Sequence, residues 1–192
     1  MKIALSPVLY VFLIILFLLG CNSNAPSVAT SFPLLGTWEV KSIAWISKDT
    51  VHTIAKAQPG MFLFTPTGYS MMWTPTPGPR TPFRKLAAPD SLEIRSGFAS
   101  IVFNAGSYRY TDSTLVTTAK IAKVPGFEKG TQFYGYRMLG EKLQLTMYDE
   151  TYPDGTKPDW SGTWKTRFIL EKIIPKTIAK PPLYENKALQ IN

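Results

Sequence analysis

Apolar and polar residues alternate along much of this chain with a period of two, interrupted by clusters of Gly, Pro, Asn and Asp. That pattern predicts short β-strands, each with one buried face, joined by turns. The alternation opens at Thr37. It places Trp38, Val40, Ser42 and Ala44 on one face of a strand over 37–47, with Glu39, Lys41 and Ile43 on the other. A weaker strand over 51–55 carries His52, the single histidine. Segments 61–65 and 69–74 flank Pro66-Thr67-Gly68 and read as a hairpin. Further strands are predicted over 107–111, 114–121, 131–139, 142–148 and 161–172, about nine in all. Within them Leu143, Leu145 and Met147 share a face, Phe133 opposes Tyr134 and Tyr136, and Thr166, Phe168 and Leu170 alternate with Arg167 and Ile169.

One segment breaks the period. Asp90 followed by Glu93 forms a capping-box signal, and Ile94, Phe98, Ile101 and Val102 recur at helical spacing until Asn104-Ala105-Gly106. A lone amphipathic helix among strands is expected to cover an end of the sheet. Between the hairpin and this helix, Pro75, Pro77, Pro79 and Pro82 exclude an interior strand and predict an extended loop, to which Arg80, Arg84 and Lys85 add positive charge. A second polar loop holds Asp149, Glu150, Asp154 and Asp159, but their spacing matches no calcium-binding loop, and a solvated loop is expected. No metal ligand set and no cofactor motif is assigned.

Open strand edges invite aggregation, so this many short antiparallel strands are expected to close on themselves. The predicted fold is all-β, a closed or nearly closed antiparallel barrel of about 8–10 strands with one inserted helix. The chain of 192 residues is 45% hydrophobic and 13% aromatic, enough for one such core. The formal charge of +8 is dispersed, with no run of five basic residues, which argues against nucleic-acid binding. Enzyme chemistry finds little support: His52 has no sequence partner, and neither a Gly-x-Ser-x-Gly nor a His-Glu-x-x-His motif occurs.

The chain starts differently. Lys2 precedes an unbroken apolar run from Val8 to Leu19, too short to span a bilayer and suited to an export leader. Leu18-Leu19-Gly20-Cys21 resembles a bacterial lipobox, which implies cleavage after Gly20 and acylation of Cys21, the only cysteine. The expected organisation is a lipoprotein signal peptide over 1–20, a lipidated tether over 21–31, a barrel domain over 32–174 and a C-terminal extension over 175–192. Asn22 after the cysteine leans, by resemblance to lipoproteins of diderm bacteria, toward the outer membrane, and the tether's lack of an acidic cluster favours its periplasmic face. Membrane lipid is then a partner through the acyl chains. Whether a protein partner exists is left open.

The combination of Leu35-Gly36-Thr37-Trp38, the segment from Gly60 to Ser70, the inserted helix before Gly106-Ser107-Tyr108, and Tyr136 to Leu145 resembles the bacterial lipocalin-like domain family over about residues 34–172. The resemblance implies that Gly36 and Trp38 close the barrel base, with Arg167 (or Lys165) laid over the indole. It also implies, for some members, binding of a small apolar ligand. Met61, Leu63, Tyr69, Met71, Trp73, Phe133, Leu145 and Met147 are the candidate cavity lining, because soft thioethers and aromatics suit a hydrophobic or amphipathic ligand. A filled barrel acting as a structural or interaction module is the alternative.

Overall fold

In the computed structural model, residues 32–174 are described. The leader, Cys21, the tether and the C-terminal extension lie outside them. Residues 33–174 belong to one unit, and only Phe32 of the preceding unit is described.

Nine strands form in the expected order: β1 (Gly36–Ile46), β2 (Val51–Ile54), β3 (Met61–Phe64), β4 (Tyr69–Trp73), β5 (Val102–Tyr110), β6 (Thr114–Ala122), β7 (Thr131–Leu139), β8 (Lys142–Thr151) and β9 (Lys165–Lys172). All neighbours are antiparallel, in the order β2-β1-β3-β4-β5-β6-β7-β8-β9. The sheet closes because β1 also pairs with β9, from Trp38↔Lys172 to Ile46↔Lys165. The long β1 thus serves three partners. Its first residues pair with β3, its last with the short β2, and its other edge with β9. The result is a closed eight-stranded barrel with β2 as an extra arm, as the alternation predicts.

Three bulges decide which residues face inward. In β1 the register shifts across Lys41, in β6 across Lys120, and in β8 across Tyr148. An extra residue on one strand reverses its alternation beyond that point. In β1, Trp38 and Val40 face the core as expected, but past the bulge Ile43 and Trp45 stand opposite the inward Phe168 and Thr166. Ser42 and Ala44, predicted beside Trp38, are therefore on the other face.

Around the base, meaning the end at Gly36, the interior is filled. Trp38, Phe62, Phe64, Leu34, Leu115, Leu143, Leu145 and Leu170 are all essentially without solvent exposure. Phe62 meets Phe168 edge-on at 5.1 Å, and Trp73 meets it at 5.0 Å. Removing this apolar surface from water, at roughly 25 cal/mol per Å², is the main stabilising term.

The helix α1 (Ser91–Ala99) is shorter than predicted and covers little. Its capping box is complete: Asp90 Oδ1 accepts from Leu92 N and Glu93 N, each at 2.9 Å, and Glu93 Oε2 accepts from Asp90 N at 2.9 Å. No side chain in it is buried, and Leu92, Ile94 and Phe98 are 74%, 54% and 48% exposed. The expected docking on a barrel end is not found. Nor do residues 104–106 terminate the helix: they lie within β5, where Asn104, Ala105 and Gly106 pair with Met71, Ser70 and Tyr69. The positive loop before the helix braces it. Arg84 pairs with Asp90 and Glu93, and Arg80 Nε donates to Ser100 Oγ at 2.8 Å.

Candidate functional site

The base is closed as the Gly36–Trp38 motif implies, but with a different cation. Trp38 Nε1 donates to the carbonyl of Leu34 at 2.7 Å, fixing the segment that enters the barrel. Lys172 Nζ, on β9, lies 5.5 Å from the centroid of the indole. Arg167 is instead registered against Ala44, and Lys165 against Ile46, at the far end of the strand pair. Antiparallel pairing explains the correction: Trp38 is near the start of β1, so only the end of β9 reaches it. Gly36, at φ +119°, sits where an added Cβ would lie 2.9 Å from Lys172 Cε, so its lack of a side chain makes room for that lysine.

The candidate lining residues divide by face. Tyr69, Met71, Trp73, Leu145 and Met147 lie on the inner face, in register with Phe64, Phe62, Val102, Phe168 and Thr166 respectively. Met61, Leu63 and Phe133 do not. Met61 and Leu63 alternate with the buried Phe62 and Phe64 and so face outward, and Phe133 packs at 6.4 Å from Tyr148 beside the bulge. His52 is exposed and stacks on Trp164 at 6.0 Å. The carboxylates of the 149–159 loop serve local structure. Asp149 accepts from Lys157 Nζ and Ser161 Oγ, both at 2.5 Å, and Asp154 accepts from Thr156.

Above the packed base the interior becomes polar, a feature the sequence reading missed. Asn104 from β5, Thr117 from β6, Gln132 and Tyr134 from β7, and Glu150 from β8 converge there. Tyr134 Oη donates to Gln132 Oε1 at 2.8 Å, and Asn104 Nδ2 donates to the same oxygen at 3.2 Å. Gln132 Nε2 donates to Glu150 Oε2 at 2.6 Å. Met71 Sδ lies 3.6 Å from the Tyr134 hydroxyl. Two bulges assemble the group. The one at Tyr148 turns Glu150 inward opposite Gln132, and the one at Lys120 brings Ala122 opposite Asn104.

One atom of this cluster, Asn104 Oδ1, has no partner. Asn104 is only 5% exposed, so an unmet acceptor there carries a desolvation cost of about 1–3 kcal/mol. Asn104, Gln132 and Glu150 open onto a cleft of about 230 Å³ between the upper ends of β5–β8 and the loop after β6, with Phe127 and Tyr152 on its rim. Burial raises the Glu150 carboxyl above its ordinary 4.5, the neighbouring Asp149 charge adds to this, and the bond from Gln132 opposes it. Burial likewise pushes Tyr69 up to about 12 and Tyr134 well above the ordinary phenol range, with the nearby Thr117 hydroxyl moderating both. Both phenols are held protonated at neutral pH, and that of Tyr134 donates to Gln132.

Strand parity could have exposed part of this cluster. Gln132, Tyr134 and Tyr136 share one face, and a glutamine on the same face as two core aromatics is anomalous for a filled barrel.

No protein-family model matches the chain, and no curated protein matches it. Among solved structures it is similar to a lipocalin-like protein from Bacteroides uniformis, at 15% identity and a TM-score of 0.36, over 73% of this chain and 99% of that one. It is also similar to an uncharacterized protein from Bacteroides eggerthii, at 12% identity and a TM-score of 0.37, with the same coverage.

Proposed function

We propose that this chain is a cell-envelope lipoprotein, anchored through Cys21, whose barrel binds a small amphipathic molecule without transforming it. The observation that carries the binding reading is the buried, unpartnered Asn104 Oδ1 beside the 230 Å³ cleft. A buried polar atom without a protein partner is paired by water or by a guest, and the binding reading assigns it to a guest. The cleft is below the roughly 300–1,000 Å³ of a site for a drug-sized molecule, which favours a small guest or the polar end of a longer one. The packed base disfavours a wholly apolar ligand threaded through the barrel.

The anchoring part rests on the apolar run, Gly20-Cys21 and the polar stretch after it. Mass spectrometry of protein extracted from its native membrane tests both parts. The expected result is a diacylated Cys21 at the amino terminus and a small molecule retained in near-stoichiometric amount. A retained molecule on a non-acylated chain would sink the anchor, and an acylated chain retaining nothing would sink the binding.

A second reading has its own observation. Leu86, Leu92, Ile94 and Phe98 are exposed on and beside α1, and an apolar surface of this kind suits contact with an envelope protein. Replacing Ile94 and Phe98 by Ser would abolish such contact and leave small-molecule retention intact.

A further inference from the structure

We infer that the guest enters the polar cleft through a primary or secondary ammonium group, held between Asn104 Oδ1 and the Glu150 carboxylate. The inference rests on the binding reading above and names the chemistry of the head group.

The donors and acceptors of the cluster are unequal. Each of its two amides spends one N–H within the cluster: Asn104 on Gln132, and Gln132 on Glu150. Tyr134 spends its proton on Gln132. The acceptors left unmet are the amide oxygen of Asn104, a buried atom of a residue that lines the cleft, and the carboxylate of Glu150, which accepts a single bond. Reversing the Asn104 amide would set its oxygen against Gln132 Oε1, and reversing Gln132 would set its oxygen against Glu150. The direction of the relay is therefore fixed while Glu150 is ionised.

Glu150 also lacks a counter-ion. None of the ion pairs among the described residues includes it. The charged and titratable groups around it are Asp149, Tyr134 and Tyr152, none of them cationic. Lys123 borders the same cleft, but its Nζ donates to the Phe98 carbonyl at 2.9 Å and lies 4.3 Å from the centre of the Phe98 ring, tied to α1. A half-buried carboxylate with no cation and a buried carbonyl with no donor are both completed by one group, N–H-bearing and positive. A carboxylate or phosphate head would be set against the Glu150 charge. A neutral hydroxyl would satisfy Asn104 and leave Glu150 uncompensated. The rim supports the same choice, since Phe127 and Tyr152, edge to face at 6.3 Å, offer aromatic surface to a cation.

The test is titration calorimetry on the full chain in nanodiscs, with empty nanodiscs subtracted, using n-hexylamine, 1-hexanol, hexanoate and hexyltrimethylammonium at neutral pH. Hexylamine is expected to bind roughly tenfold or more tighter than the other three, the span expected of one charge-assisted hydrogen bond. Glu150→Gln retains the shape and the acceptor for Gln132. It is expected to remove that preference while leaving hexanol binding unchanged. Asn104→Ala should weaken hexylamine and leave hexyltrimethylammonium as it was; if that variant does not fold, Glu150→Gln alone decides. Equal or tighter binding of hexanoate or hexanol would overturn the head-group assignment and leave the binding reading standing. Equal binding of hexyltrimethylammonium would overturn the role of Asn104 Oδ1, since that ion has no N–H. Failure of all four to bind would overturn the assignment and the binding reading together.

Discussion

Trp38→Ala tests the closure of the barrel base. The indole is 1% exposed, its Nε1 donates to Leu34 O at 2.7 Å, and Leu34 is itself fully buried. Truncating a buried Trp to Ala costs about 3–5 kcal/mol, because the cavity left behind collapses only in part. The Leu34 carbonyl, out of reach of water, adds about 1–3 kcal/mol once its donor is gone. The sum is a large share of the roughly 5–15 kcal/mol that holds a typical domain together. Trp38→Phe separates the two contributions: it retains most of the apolar volume, loses the donor and should cost about 1–3 kcal/mol. Lys172→Ala should cost about 0.5–1 kcal/mol, the worth of an exposed cation over a ring. Arg167→Ala, opposite Ala44 and far from the indole, should stay within about 0.5 kcal/mol of wild type. Urea unfolding followed by far-ultraviolet circular dichroism measures all four, with the shift in midpoint read at constant slope. A Trp38→Ala protein that lost its ligand yet unfolded at the wild-type midpoint would refute the structural role of this residue. An Arg167→Ala protein weaker than Lys172→Ala would refute the pairing.

Other expectations follow from local geometry. A Cβ at Gly106 would lie 2.1 Å from the Thr118 carbonyl oxygen, so Gly106→Ala must part β5 from β6 and should cost about 3 kcal/mol or more by thermal unfolding; Gly140→Ala, at φ +62° with open space around it, should cost only about 1–2 kcal/mol. Because burial raises the Glu150 pKa, the folded chain retains that proton longer than the unfolded one, and stability falls as pH rises from 4.5 through the folded value. Glu150→Gln should flatten that slope in melting midpoints taken between pH 4 and 8, whereas Asp149, Asp154 and Glu171, all held low by their partners, act on the acid side. Asp90→Ala should destabilise α1 by about 1 kcal/mol, seen as faster amide exchange at Leu92 and Glu93, without moving the global midpoint, since no side chain of the helix is buried.

The architecture was legible because alternation and turn chemistry repeat from strand to strand. Seven of the strands begin within two residues of where the period of two places them, and the 131–139/142–148 hairpin was read almost whole. Faces were harder. Met61-Phe62-Leu63-Phe64 is apolar on both sides, so it offers no polar contrast from which to choose an inner face, and nothing in it marks Met61 and Leu63 as the outward pair. Tyr134 and Tyr136 look amphipathic, yet both are buried, because each hydroxyl finds an acceptor, in Gln132 and in the Thr111 carbonyl. Asn104 followed by Ala105 and Gly106 carries the composition of a helix stop, and that misreading removed the key acceptor of the site from view.

The rest was hidden by the bulges. Alternation assigns the two faces of a strand only up to the first extra residue, and nothing in the local composition of Lys41, Lys120 or Tyr148 announces one. Counting by twos from Leu143, Leu145 and Met147 puts Asp149 inside and Glu150 outside, which makes Glu150 one more carboxylate of a solvated loop. The bulge at Tyr148 exchanges them. Asp149 then turns to Lys157 and Ser161, where its charge is paired, while Glu150 turns to Gln132, where no cation answers it. One inserted residue thus converts a loop acid into the charged wall of a cleft. The site is consequently a product of register: deleting Tyr148 should straighten β8 and keep Glu150 opposite Gln132, because Glu150 then stands two positions beyond the inward Met147.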